Sequence, residues 1–83
     1  MYTVVIKKKA KKEIECLPEY DQERVYRALL ELGETPFAGK RLDGEYQGVW
    51  SLRVWPYRIL YTIHRQTVTV VVLRVQHRKD VYR

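Results

Sequence analysis

The sequence predicts an α+β fold: a helical hairpin packed on one face of a four-stranded, mainly antiparallel sheet, in the order β-α-α-β-β-β. Three observations carry it. Apolar residues recur at helical spacing between residues 8 and 33, strand-like runs fill the chain from residue 49 onward, and the breaks between those runs are short enough only for hairpins. All 83 residues are assigned to a single domain, 1–83. A chain of this length buries only about 60% of the surface its unfolded form exposes, enough for one core.

"YTVVIK" (2–7) is rich in β-branched residues and reads as the first strand. In "KKAKKEIECL" (8–17), Ala10, Ile14 and Leu17 share one helical face among lysines. Those lysines (Lys7, Lys8, Lys9, Lys11, Lys12) fit a solvated helix face better than a phosphate site. Pro18 suits the first turn of a second helix, and Glu19 and Asp21 favour its positive end. Val25, Ala28, Leu29 and Leu32 form its apolar stripe, and Gly33 is the expected stop. Cys16, beside that stripe, is expected in the core. Residues 35–48 hold three of the four glycines and one proline and are assigned to a loop. Strands follow at 49–55, 57–64 and 67–75, with tight connections at Pro56 and at Arg65-Gln66, and "QHRKDVYR" is a tail.

Alternation along a strand then places individual side chains. Trp50, Leu52 and Val54, with Tyr57, Ile59, Tyr61 and Ile63, belong to the helix-covered face. Val49, Ser51 and Arg53, with Arg58, Leu60, Thr62 and His64, belong to the other. Arg53 and Arg58 therefore emerge together on the open face. The last strand, "TVTVVVLRV", is apolar on both sides, as in a strand covered on both. A tail folded over its second face is expected to bring His77, Arg78, Lys79 and Tyr82 toward the arginines. Such a patch suits RNA or phosphate, through arginine forks and stacked tyrosine; an ordered tail on a solvated face is the alternative.

Charge leans the same way. The net charge is +6, and residues 1–34 balance seven Lys/Arg against seven Asp/Glu. The whole excess lies in residues 35–83, with nine Lys/Arg against three Asp/Glu, where a polyanion or an acidic protein is expected to bind. A lone cysteine excludes an internal disulfide, and no run approaches a signal peptide or a membrane span. A cytoplasmic location is expected, with no membrane partner. There is no zinc spacing, no phosphate-binding glycine loop and no nucleophile elbow. Asp43 and Glu45 read as turn and surface residues, so the expectation is metal-free chemistry with no cofactor.

Several motifs in order resemble one family. "Lys-Arg-Leu-x-Gly" (40–44), "Gly-x-Trp-x-x-Arg-Val" (48–54), "Tyr-Arg-Ile-Leu-Tyr" (57–61) and "His-Arg-Lys-Asp-Val-Tyr" (77–82) resemble the RelE/ParE toxin superfamily. "Leu-Pro" at 17–18 and "Leu-x-x-x-Pro" at 32–36 also fit. The resemblance implies a RelE-like fold and a toxin of a type II toxin–antitoxin module, held inactive by a cognate antitoxin with an acidic, partly disordered segment. RelE-type members cut mRNA on the ribosome, ParE-type members poison DNA gyrase, and a third reading is a non-enzymatic member that binds only antitoxin and operator. Operator DNA is reached only through the antitoxin complex.

The resemblance also implies residue roles. Arg58 falls on the catalytic arginine of the Tyr-Arg motif, and Arg53 on a basic position of the preceding strand. Tyr82 matches the C-terminal tyrosine that in some members lies at the cleaved nucleotide, and Arg78 lies in the contributing basic tail. His77 and Tyr82 are the acid–base candidates. The chain departs from the family pattern at Val49 and Ser51, where RelE-type members tend to carry lysine, and at Trp55-Pro56, where Gly-Asp is usual.

Overall fold

The computed structural model describes residues 1–80. Its elements are β1 (Thr3–Ile6), α1 (Lys8–Glu15), α2 (Glu19–Glu34), β2 (Lys40–Arg41), β3 (Trp50–Val54), β4 (Tyr57–His64) and β5 (Thr69–His77), with single 3₁₀ turns at Pro36–Ala38, Gly44–Tyr46 and Arg78–Asp80. The strands form one sheet in the order β1-β5-β4-β3-β2. β1 runs parallel to β5, and the other three pairings are antiparallel. The α+β class, the helical hairpin and the mainly antiparallel sheet are as the sequence predicts. The strand count is not: β2, two residues long, lies inside the segment assigned to a loop. Two residues are too few for a period of two to register.

The helices form by the expected stripes. Ala10 and Ile14 of α1, and Val25, Leu29 and Leu32 of α2, are buried against Ile59 and Tyr61 of β4 and Val70, Val72 and Val75 of β5. Pro18 caps α2 from just outside, its carbonyl accepting from the Asp21 and Gln22 amides at 2.9 and 3.0 Å. Gln22 reaches back to the Leu17 carbonyl at 2.9 Å and closes the hairpin.

Two local expectations are corrected. Gly33 does not end α2, which continues to Glu34. Its carbonyl accepts from the Tyr2 amide at 2.7 Å, and a Cβ there would stand 3.1 Å from the Tyr2 oxygen. The glycine therefore admits the start of β1 rather than stopping the helix. Cys16 is exposed, not core. It caps the short α1, and the chain turns there before the stripe can carry the thiol inward.

The last strand contains a bulge. Leu60 pairs with Arg74, but Tyr61 pairs with Val72, so Leu73 is the additional residue. A one-residue insertion exchanges the two faces of everything beyond it. Val70 and Val72 face the helices before the bulge, and Val75 faces them after it. That switch explains the apolar run on both sides better than full burial does, since Val71 and Leu73 are only half-buried.

The bulge is clamped from the helix layer. Beyond Val72, β5 has no β1 residue beside it. Glu13 of α1 fills the edge: its carboxylate accepts from the Val75 amide at 2.9 Å and receives the Arg74 guanidinium at 2.8 to 3.2 Å.

Candidate functional site

The face turned away from the helices is built on the β3–β4 hairpin. Arg53 and Arg58 stand directly opposite each other in register, so the two guanidiniums leave neighbouring positions on the same side, where alternation predicts them. β2 adds Lys40, register partner of Ser51. Lys40, Ser51, Arg53 and Arg58 line an open cleft of about 340 Å³ with Gly39 at its edge. Ser51 is buried, and its hydroxyl has no partner among the described residues.

What holds β2 in place is Tyr61. Its hydroxyl donates to the Pro36 carbonyl at 2.9 Å and accepts from the Gly39 amide at 3.1 Å. Burial raises the phenol above its ordinary pKa, against the lowering effect of the Gly39 amide. A Cβ at position 39 would lie 2.7 Å from the Ser51 carbonyl and closer still to the Tyr61 hydroxyl. Only glycine lets this segment approach so near. Trp50 stacks on Tyr61 and meets Phe37 edge-on, with ring centroids 6.4 and 5.5 Å apart, completing the support.

The Trp55-Pro56 turn is held from the opposite side. Arg24 of α2 donates to the Trp55 carbonyl at 2.6 Å and pairs with Asp21 at 3.1 Å. Asp21 also accepts from the Tyr57 hydroxyl at 2.8 Å. Tyr57 is raised above the ordinary tyrosine range chiefly by burial, then by its hydrogen bond to Asp21 and that carboxylate's charge, while Arg24 opposes.

The tail begins at this turn. The Arg78 amide donates to the Pro56 carbonyl at 2.8 Å, and the Arg78 guanidinium lies 4.7 Å from the Trp55 ring centroid. Arg53 lies 5.5 Å from the same ring. Arg53, Arg58 and Arg78 are thus brought together around the hairpin tip, and among the described residues none of the three forms an ion pair.

His77 is not among them. It is the register partner of Tyr57, and its ring meets the Tyr57 ring edge-on at 5.8 Å. Gln76 is the residue opposite Arg58. The expected approach of His77 to the open face fails because the bulge at Leu73 exchanges the two faces beyond it. Tyr82 lies outside the described residues. Sequence reasoning missed Lys40 as a member of the face and Trp55 as more than a turn residue. The first lacked periodicity; the second was marked only as a departure from the usual Gly-Asp step, with no role attached to the ring.

The fold and this face define an α+β protein with a cationic surface on the side of its sheet turned away from the helices. Residues 4–82 match the family of ParE toxins of type II toxin–antitoxin systems, parDE. Toxin RelG of Mycobacterium tuberculosis is 39% identical over 88 residues, spanning 99% of this chain and 97% of RelG. A chain of the M. tuberculosis RelBE2 toxin–antitoxin complex has the same fold at a TM-score of 0.87, with 36% identity over 92% of this chain and 96% of its own. The isolated Escherichia coli RelE toxin shares the fold at a TM-score of 0.78, with 23% identity over 93% of this chain and 84% of its own. The chain belongs to the RelE/ParE toxin family and is a type II toxin–antitoxin toxin.

Proposed function

We propose that this toxin is an endoribonuclease that cuts mRNA held in the ribosome and so inhibits translation. One observation carries the reading: Arg53 and Arg58 face each other across β3–β4 with no ion-pair partner among the described residues. Like charges directly opposite on a sheet destabilise it. An arrangement that opposes folding and sits on an open cleft fits a group that binds charge from outside.

The chemistry follows from RNA itself. The 2′-oxygen attacks the adjacent phosphorus, its proton passes to a base, and the bond to the 5′-oxygen breaks with proton delivery to that oxygen. The products are a 2′,3′-cyclic phosphate and a 5′-hydroxyl. Negative charge grows on the phosphoryl oxygens, so fixed guanidiniums bind the transition state more tightly than the substrate. Arg58 and Arg53 take that role without a metal, and Arg78 holds a flanking phosphate. Arginine stays charged at neutral pH and is a poor proton carrier. Tyr82 is the remaining acid–base or stacking candidate from the sequence, since His77 lies against Tyr57. A tyrosine with an ordinary pKa near 10 needs a strongly cationic site to act as a base.

The ribosome supplies geometry. Holding the RNA close to in-line attack contributes several kcal/mol, more than an open cleft supplies alone. The antitoxin is expected to bring an acidic, partly disordered segment to the basic half, with salt-sensitive binding, and operator DNA is expected to bind only through that complex. The test incubates purified toxin with programmed ribosomes in magnesium buffer, and with naked mRNA both with added divalent metal and in chelator. Cleavage confined to the ribosomal sample supports the proposal; efficient metal-dependent cutting of naked RNA sinks it. The match to ParE toxins over residues 4–82 favours gyrase inhibition as the second reading. Blocked supercoiling with intact mRNA would select it.

A further inference from the structure

The β3–β4 turn carries an indole where the family pattern has a small Gly-Asp step, and that indole is 49% exposed. Its backbone is tied on both sides, to α2 through the Arg24 bond to the Trp55 carbonyl and to the tail through the Arg78 amide on Pro56. Onto this fixed ring converge two guanidiniums from separate segments, Arg53 of β3 at 5.5 Å and Arg78 of the tail at 4.7 Å.

Two like charges need something to hold them near each other. A carboxylate would do so but would cancel their charge. An aromatic face attracts a guanidinium through its quadrupole and leaves the charge in place. We propose that Trp55 is a positioning residue that gathers Arg53 and Arg78, with their charge intact, into one site for the phosphodiester backbone of single-stranded RNA. The inference rests on the reading of this face as the RNA site and assigns the element that organises it. The Arg78 backbone is fixed by its amide on the Pro56 carbonyl and the turn by Arg24, so what the ring sets is the place of the Arg78 guanidinium.

The test compares Trp55→Leu, which keeps an apolar side chain and removes the π face, with Trp55→Phe, which keeps a π face. Binding of a fluorescein-labelled single-stranded RNA hexamer is read by anisotropy at fixed salt. Trp55→Leu is expected to weaken binding about threefold to tenfold, and Trp55→Phe to stay within about twofold. In a protein already carrying Arg53→Ala and Arg78→Ala, Trp55→Leu should then change little, as expected for coupled residues. Full additivity would overturn the inference and make the indole an independent base-stacking surface. Equal behaviour of the leucine and phenylalanine variants, or no hexamer binding by the unmodified protein, would overturn it too. Coupling found without ribosomal cleavage refutes the ribonuclease reading alone; cleavage without coupling refutes the positioning role alone.

Discussion

Arg58 leaves β4 toward the open cleft, opposite Arg53 in register and with no anionic partner among the described residues. Its neighbours on β4, Tyr57 and Ile59, belong to the buried core on the other face. Removing Arg58 therefore opens no cavity and relieves a like-charge contact. Arg58→Ala is expected to leave the melting temperature unchanged or slightly raised. Ribosome-dependent cleavage should fall about 10²- to 10³-fold, as when one preorganised oxyanion donor is lost. Arg58→Lys should recover only part, since a point charge does not reproduce the bidentate fork. Circular dichroism melts and primer extension on the same samples check both halves. An unfolded Arg58→Ala protein would make the arginine structural, and full activity would put the site elsewhere.

The decisive element is β5. Its extra residue turns Val75 inward and His77 away from the arginines, and Glu13 holds the irregular segment by three bonds to Arg74 and one to the Val75 amide. Truncating Glu13 leaves a buried-strand amide and a half-buried guanidinium without their acceptor. Glu13→Ala is therefore expected to lower unfolding free energy by about 2 kcal/mol, the scale of a lost charged hydrogen bond with an orphaned partner. Urea titration measures it. A loss under about 0.5 kcal/mol, the ordinary surface range, would mean that water replaces the carboxylate and that the bulge needs no clamp.

Across the whole molecule, two buried tyrosines tie separate layers together. Tyr57 donates to Asp21 of α2, and Tyr61 links the sheet to the segment before β2. Both phenols titrate above their ordinary range in the fold, chiefly through burial. With the folded pKa raised, their stabilisation is fully present below the unfolded value of about 10 and is lost as pH rises through the folded one. Urea midpoints followed upward from neutrality should thus show no change from these groups until about pH 10, then a decline as their stabilisation is lost. Tyr57→Phe should be less stable at neutral pH, for want of the Asp21 bond, yet decline more shallowly above that point. A parallel decline in the two proteins would remove Tyr57 from the alkaline transition.

Much of this was written in local order. The helical stripes of residues 10–14 and 25–32, and the alternation of residues 50–63, are periodicities that a chain displays before it folds. They determined the two helices, the hairpin strands and the shared face of Arg53 and Arg58, because each depends only on neighbours a few residues away. The motifs at 40–44, 48–54, 57–61 and 77–82 likewise pointed to the toxin family before any contact was known. Tertiary structure decided what depends on partners far along the chain. The two-residue β2 exists because Ser51 and Trp50 are there to pair with it, and that pairing adds Lys40 to the cationic face. Gly33 is small for the sake of Tyr2, not to end a helix. The Leu73 bulge becomes visible only when β5 is registered on β4, and it alone sends His77 to Tyr57. Trp55 reads as a turn residue in the sequence; it becomes a meeting point for Arg53 and Arg78 because Arg24, 31 residues away, fixes the turn beneath it. Periodicity records which side of an element a residue occupies, whereas a site is made by which elements meet.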